Sequence, residues 1–266
     1  MAKREIPQFT TPIIETHCHL DYLKDRPLEE TLEICLKGGV DRLITISVQP
    51  GNLATVRELV ETHPYIYGTQ GIHPHEAIQW SDEVEEEIRK HAPHPKIVAV
   101  GEIGLDFHYT RSPRDKQIEV FKKQLALARE LKKPVVIHSR EAEKETIEIL
   151  DEVKDAQAQT GVVHSFTSGL DLAEKAIELG YYLGFNGIIT FKNAEAVRDA
   201  VRLCPLDRIL LETDSPFLTP VPYRGRENAP FYLPFVAEKV AEIKGVSVDD
   251  CLKTTRENAL KLFFNE

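Results

Sequence analysis

The chain has 266 residues, with 33 lysines and arginines against 43 acidic residues, for a formal net charge of −10. A composition of 42% hydrophobic and 29% charged residues excludes a disordered chain, and no apolar run reaches the ~18 residues of a membrane span. The acidic balance also argues against a protein that coats DNA through its phosphates, although a local cationic centre could still engage nucleic acid.

Short β-branched runs alternate with stretches of helical period along the whole chain. In order, strands are expected at Ile13–Thr16, Leu43–Ser47, Ile66–Thr69, Ile97–Val100, Val135–Ile137, Gly161–Val163, Tyr182–Phe185 and Ile209–Leu211. Between them, Gly38 and Gly180 stand where helices should stop. Ser112-Pro113 should open a helix whose apolar stripe is Ile118, Phe121, Leu125, Ala128 and Leu131, and Ser168 and Ser247 should cap two more. Successive strand ends lie 22–36 residues apart, one strand–helix unit each. Eight such units without a polar linker predict a single α/β domain over residues 1–266, a (β/α)8 TIM barrel. An open doubly wound sheet fits less well, because the first strand ends in His17-Cys18-His19 and not in a glycine-rich turn.

The N-terminal MAKREIPQFTTP has no apolar signal-peptide core. Cys18, Cys35, Cys204 and Cys251 are widely spaced and form no CxxC pair. A cytoplasmic protein with reduced thiols is expected.

Six of the ten histidines, His17, His19, His73, His75, His138 and His164, fall at or just past expected strand ends. In a TIM barrel that is the face where catalytic sites are built. In a strand, residues two apart share a face, so His17 and His19 both enter the mouth while Cys18 turns outward. Glu102 follows the fourth strand between Gly101 and Gly104, and Asp214 follows the eighth. Asp106 is positioned to orient a neighbour. His17, His19, Glu102, His138, His164 and Asp214 offer more donors than one tetrahedral ion needs. With one shared carboxylate they suit two divalent ions ~3.5–4 Å apart.

These residues lie in ETHCHLD (15–21), GIHPH (71–75), GEIGLD (101–106), IHSR (137–140), HSFTSG (164–169) and ETDSP (212–216). With RGRENAP (224–230), the set resembles the TatD family of metal-dependent hydrolases, within the amidohydrolase-like barrels, over nearly the whole chain. The resemblance implies a metal-dependent deoxyribonuclease that acts on single-stranded or frayed DNA ends as an exonuclease. His17, His19, Glu102 and Asp214 would hold one ion and Glu102, His138 and His164 the second, with Glu102 replacing the superfamily's carboxylated lysine. Zn, Mn or Mg are the candidate metals. Ala229 departs from the family, which more often has Glu before that proline.

The expected chemistry is attack on phosphorus by water activated by the two ions, with Asp214 taking its proton. His73 is expected to contact the phosphate or the leaving group rather than to be a ligand. Arg140, Lys192, Arg224 and Arg226 are candidate phosphate contacts, with Tyr223 beside the last two as a base-stacking platform. The same residues would also serve an ester or amide hydrolase such as a D-aminoacyl-tRNA deacylase. A barrel that binds metal without catalysis is the reading from another class. Neither a membrane nor an obligate protein partner is expected.

Overall fold

The computed structural model describes residues 4–109, 111–154 and 160–266. The strands are β1 (Ile13–Cys18), β2 (Val40–Thr45), β3 (Ile66–Gln70), β4 (Ile97–Asp106), β5 (Val135–Arg140), β6 (Gly161–Val163), β7 (Tyr182–Phe185) and β8 (Ile209–Leu211). They pair in parallel in chain order within one eight-stranded sheet. The helices are α1 (Leu28–Lys37), α2 (Leu53–Thr62), α3 (Asp82–His91), α4 (Arg114–Glu130), α5 (Glu143–Val153), α6 (Leu170–Glu178), α7 (Glu195–Leu203), α8 (Leu233–Lys244) and α9 (Val248–Ala259). This is the (β/α)8 barrel that the spacing predicts. No helix among the described residues is long and apolar enough to cross a membrane.

The near-continuous apolar strands are buried on both faces. Outward residues such as Leu43, Val135, Ile137 and Leu183 pack with Leu32, Phe121 and Leu125 of the helices. Inward residues Ile14, Ile44, Val98, Val136, Val162, Tyr182 and Leu210 meet in the lumen, where Leu262 and Phe263 from the C-terminal turn close the floor. The core thus fills one end of the barrel and leaves the other to polar groups. All four cysteines are buried and unpaired.

β4 runs six residues past its expected end, because it pairs with β5 as far as Asp106 opposite Arg140. Glu102 and Asp106 therefore sit on rigid strand. Two of the three expected serine caps are replaced. α4 starts behind Pro113, and the Ser112 hydroxyl instead donates to the His75 carbonyl and accepts from the Ile78 N–H. The N–H groups of Gly169 and Leu172 donate to the Glu143 carboxylate of α5, a charged acceptor that outcompetes the Ser168 hydroxyl. Ser247 does cap α9, accepting from Asp250 N at 3.0 Å.

Two register irregularities set the site. Strict alternation from lumen-facing Ile14 would turn His17 toward the helices, and alternation from Val100, which packs in the outer layer, would do the same to Glu102. The register of β1 shifts between Glu15 and Cys18, and that of β4 between Gly101 and Ile103. Such bulges reverse the local parity and re-aim a side chain. Gly104 holds the second arrangement with φ +133°, and a Cβ there would stand 2.0 Å from the His138 carbonyl oxygen. Gly104→Ala is accordingly expected to lower the thermal midpoint by on the order of 5 °C or more, measured by circular dichroism.

Candidate metal centre at the barrel mouth

Closure of the barrel brings the first three ligand candidates together. β8 is short, and the segment after it completes the seam with β1: Asp214 N donates to His17 O at 2.9 Å and His19 N to Ser215 O at 2.8 Å. Asp214 takes φ +56°, a left-handed conformation that aspartate tolerates better than most residues. Its carboxylate is thereby turned back over the mouth. Opposite, Glu102 rises from β4, His138 from β5 and His164 from just past β6, while His73 follows β3.

Glu102 stands at the centre, with its two oxygens facing different groups. Oε2 lies 3.6 Å from His17 Nε2 and 4.0 Å from His19 Nε2. Oε1 lies 2.7 Å from His164 Nε2, 3.0 Å from His138 Nδ1 and 3.4 Å from His73 Nε2. Asp214 Oδ1 completes the first group, 3.6 Å from His17 and 3.5 Å from His19. Three overlapping sets have the compactness of a metal site: His17, His19 and Asp214; His17, Glu102 and His164; and His73, Glu102 and His138. All six expected ligands are thus brought together. His73, expected only as a substrate contact, also stands within ligand reach.

The residues fit a divalent cation. Both ring nitrogens of His17 are buried without a hydrogen-bond partner, as is Nδ1 of His19, and burying such groups unpaired is costly. A cation with bonds of about 2.1 Å holds its donors about 3.0–3.4 Å apart, close to the separations here. Burial, reinforced by neighbouring His164, holds His17 well below the ordinary histidine range, so its lone pair is free to ligate. Burial likewise lowers His73 to about 4. Burial alone would raise the Glu102 carboxyl, but His164, His73 and His138 outweigh it and hold the group well below its usual range. The centre is therefore built around an ionised carboxylate, with His17 and His73 neutral; burial opposes a charge on His19, His138 and His164 as well, but the neighbouring carboxylates outweigh it and hold these three above the ordinary histidine range.

Behind the ligands lie two carboxylates. Asp106 is fully buried. Its Oδ1 accepts from the N–H groups of His108 and Tyr109, and its Oδ2 lies 3.0 Å from His138 Nε2 and 3.0 Å from His75 Nε2. An N–H at Nε2 of His138 leaves Nδ1, the nitrogen facing Glu102, as the lone-pair donor. Glu212 accepts from Ser165 N at 2.7 Å and lies 3.6 Å from His164 Nδ1. Its role was missed from the sequence, although its place two residues before Asp214 put it on the lumen side of β8.

A cavity of about 770 Å³ opens above the centre. Arg140 lines it, and so does Arg111, which sequence reasoning passed over. Lys192, Arg224 and Arg226 are not among its lining residues. Arg224 instead lies over the Phe191 ring at 3.6 Å. Tyr223 packs against Tyr232 and Phe235, with centroids 4.6 and 5.6 Å away, and its hydroxyl donates to Arg4 O. Its ring is spent on packing and does not form the expected stacking platform. The aromatic residues at the mouth are Tyr22, Tyr109 and Phe217, none of which carries a sequence motif that signals the role.

A TIM barrel whose mouth gathers histidines around a buried carboxylate defines a metal-dependent hydrolase. The family profile described as TatD related DNase matches residues 14–264, and the chain belongs to that family. It is 39% identical over 252 residues to the Bacillus subtilis protein named uncharacterized metal-dependent hydrolase YabD, covering 94% of this chain and 98% of that one. It is 34% identical over 248 residues to the Erwinia tasmaniensis protein named 3'-5' ssDNA/RNA exonuclease TatD, covering 91% and 95%. The crystal structure of the TatD homolog YjjV from Escherichia coli superposes with a TM-score of 0.87 at 31% identity, covering 94% of this chain and 97% of that one.

Saturating Mn or Zn added to chelator-treated protein should raise the thermal midpoint by about 5–10 °C, from mass action on the folded state. Glu102→Ala should lose that rise and most of its metal by elemental analysis. Asp106→Asn should weaken metal binding about 10–100-fold in a chelator competition, with the fold intact.

Proposed function

We propose that the protein is a two-metal phosphodiesterase that trims nucleic-acid ends, with single-stranded or frayed DNA as its main substrate. The observation that supports it best is the division of Glu102, with one oxygen toward His17 and His19 and the other toward His138 and His164. A carboxylate so divided is suited to bridge two cations, one held by His17, His19, Glu102 and Asp214, the other by Glu102, His138 and His164. When bound, such ions lower the pKa of water and neutralise charge on phosphoryl oxygens.

The chain's own groups supply the remaining steps. Asp214 is the most exposed carboxylate of the set, at 14% for its side chain against 4% for Glu102. Its free oxygen is available to take a proton from the attacking water. His73, kept neutral, lines the cavity and can hydrogen-bond the phosphate or the departing oxygen. Arg140 and Arg111 supply positive charge for a neighbouring phosphate. The names TatD related DNase and 3'-5' ssDNA/RNA exonuclease, carried by the family and by the Erwinia tasmaniensis relative, favour a phosphodiester over a carboxylic ester. We further propose that one barrel domain does this work in the cytoplasm.

The test is to incubate Mn-loaded protein with end-labelled single-stranded DNA and, in parallel, with a D-aminoacyl-tRNA. Stepwise shortening from one end, abolished by chelation and restored by metal, is the expected result. Release of free amino acid with the DNA left intact would overturn the nuclease reading, as would inactivity on both.

A further inference from the structure

We infer that the barrel mouth is a two-sided cleft, with a nucleobase subsite on Phe217 and Tyr22 facing a phosphate subsite on Arg140 and Arg111. This rests on the phosphodiesterase reading and adds how the strand is gripped on either side of the linkage being cut.

The division follows from strand order. Because neighbouring strands in the barrel are neighbours in sequence, the loops after β7, β8, β1 and β2 form one contiguous half of the rim. Beside the ligand candidates His19 and Asp214, and Gln49, these loops contribute Ile188, Phe217, Leu218, Tyr22 and Val48 to the cavity, side chains without a formal charge. The loop after β4 and the end of β5 lie across the mouth and contribute Tyr109, Arg111 and Arg140. Among the described residues, neither arginine forms an ion pair with a carboxylate. The Arg140 guanidinium lies over the Tyr109 ring, 4.9 Å from its centroid, which holds the cation at the mouth without neutralising it.

Phe217 is 51% exposed. A large apolar ring left open beside a charged centre is unfavourable in water and is covered when a planar ligand stacks on it. Its position fits a base one sugar away from the reacting phosphate. His19, a ligand candidate, touches both aromatic residues: its ring is stacked with Tyr22 at 5.3 Å and 18°, and edge-on to Phe217 at 6.2 Å and 68°. A single imidazole therefore separates the stacking surface from Asp214 and Glu102. On the other side, Arg140 stands two residues beyond His138 on the same strand, so its side chain leaves the same face of β5. A substrate that offers an aromatic plane on one side of a phosphodiester and a second anion on the other fits this cleft. A strand of nucleic acid has that chemistry.

The test measures equilibrium binding of deoxyadenosine 5′-monophosphate and of 2-deoxyribose 5-phosphate to Mn-loaded protein by calorimetry. Hydrolysis of bis(p-nitrophenyl) phosphate is followed in parallel. The two ligands differ only by the base, and neither contains the phosphodiester the enzyme would cut. The wild-type protein should bind the nucleotide about tenfold more tightly than the sugar phosphate. Phe217→Ala should collapse that preference to within about twofold and Phe217→Trp should restore it. Arg140→Gln should instead weaken the binding of a dinucleotide bearing a second phosphate and leave the base preference unchanged. No base preference in the wild-type protein, or a preference unaltered in a folded Phe217→Ala variant, would overturn the cleft while hydrolysis of the synthetic diester persists. Absence of that hydrolysis in the wild-type protein would instead count against the phosphodiesterase reading.

Discussion

The carboxylate of Glu102 is the group around which the rest of the site is arranged. It is almost wholly buried, yet three imidazoles lie within 3.4 Å of one of its oxygens and two within 4.0 Å of the other. Taking a charge out of water costs several kcal/mol, and the barrel meets this cost by surrounding the charge with groups that bind cations or are themselves protonated. The polar end of the lumen exists to hold this one anion. The apolar end, closed by Leu262 and Phe263, supplies the packing that keeps the strands in place.

The aim of that anion depends on local irregularity. The register shifts in β1 and β4 occur beside His17 and Glu102, where alternation from Ile14 and from outward-packed Val100 would have sent both side chains into the helix layer. Gly104 answers the same constraint, since the close passage of β4 over the His138 carbonyl leaves no room for a side chain. β5 and β6 need no such shift, since His138 and His164 follow from Val136 and Val162 by simple alternation.

The second layer shows how a flexible donor is made specific. His138 faces Glu102 through Nδ1 and Asp106 through Nε2, whereas His164 faces Glu102 through Nε2. Ring orientation is thus set from behind, by carboxylates outside the three candidate ligand groups. The same economy holds Asp106 in place, since its other oxygen ties the loop after β4. Above this layer the mouth is charged on one half and aromatic on the other, so an acidic protein still presents unpaired cations where a phosphate would arrive.

Much of this was legible in the residues. Apolar runs at intervals of one strand–helix unit specify the barrel, because a parallel strand buried on both faces must be apolar throughout. Histidines and carboxylates at the ends of those runs mark the candidate ligands, because all eight ends converge on one rim. The local caps were less legible: Ser112 and Ser168 have the right chemistry, but tertiary partners claimed the groups they would have bonded. The rim was legible only in part, through His73 and Arg140, which line the cavity. Arg224, Arg226 and Tyr223 make a persuasive cluster in sequence, yet Arg224 lies over Phe191, Tyr223 packs on Tyr232 and Phe235, and none of the three lines the cavity. Tyr22, Tyr109, Arg111 and Phe217 share no motif and become neighbours only when the barrel closes. Periodicity and residue chemistry are local properties and survive translation into one dimension. Which loops face each other across a closed sheet is a property of the closure, and it exists only in the folded chain.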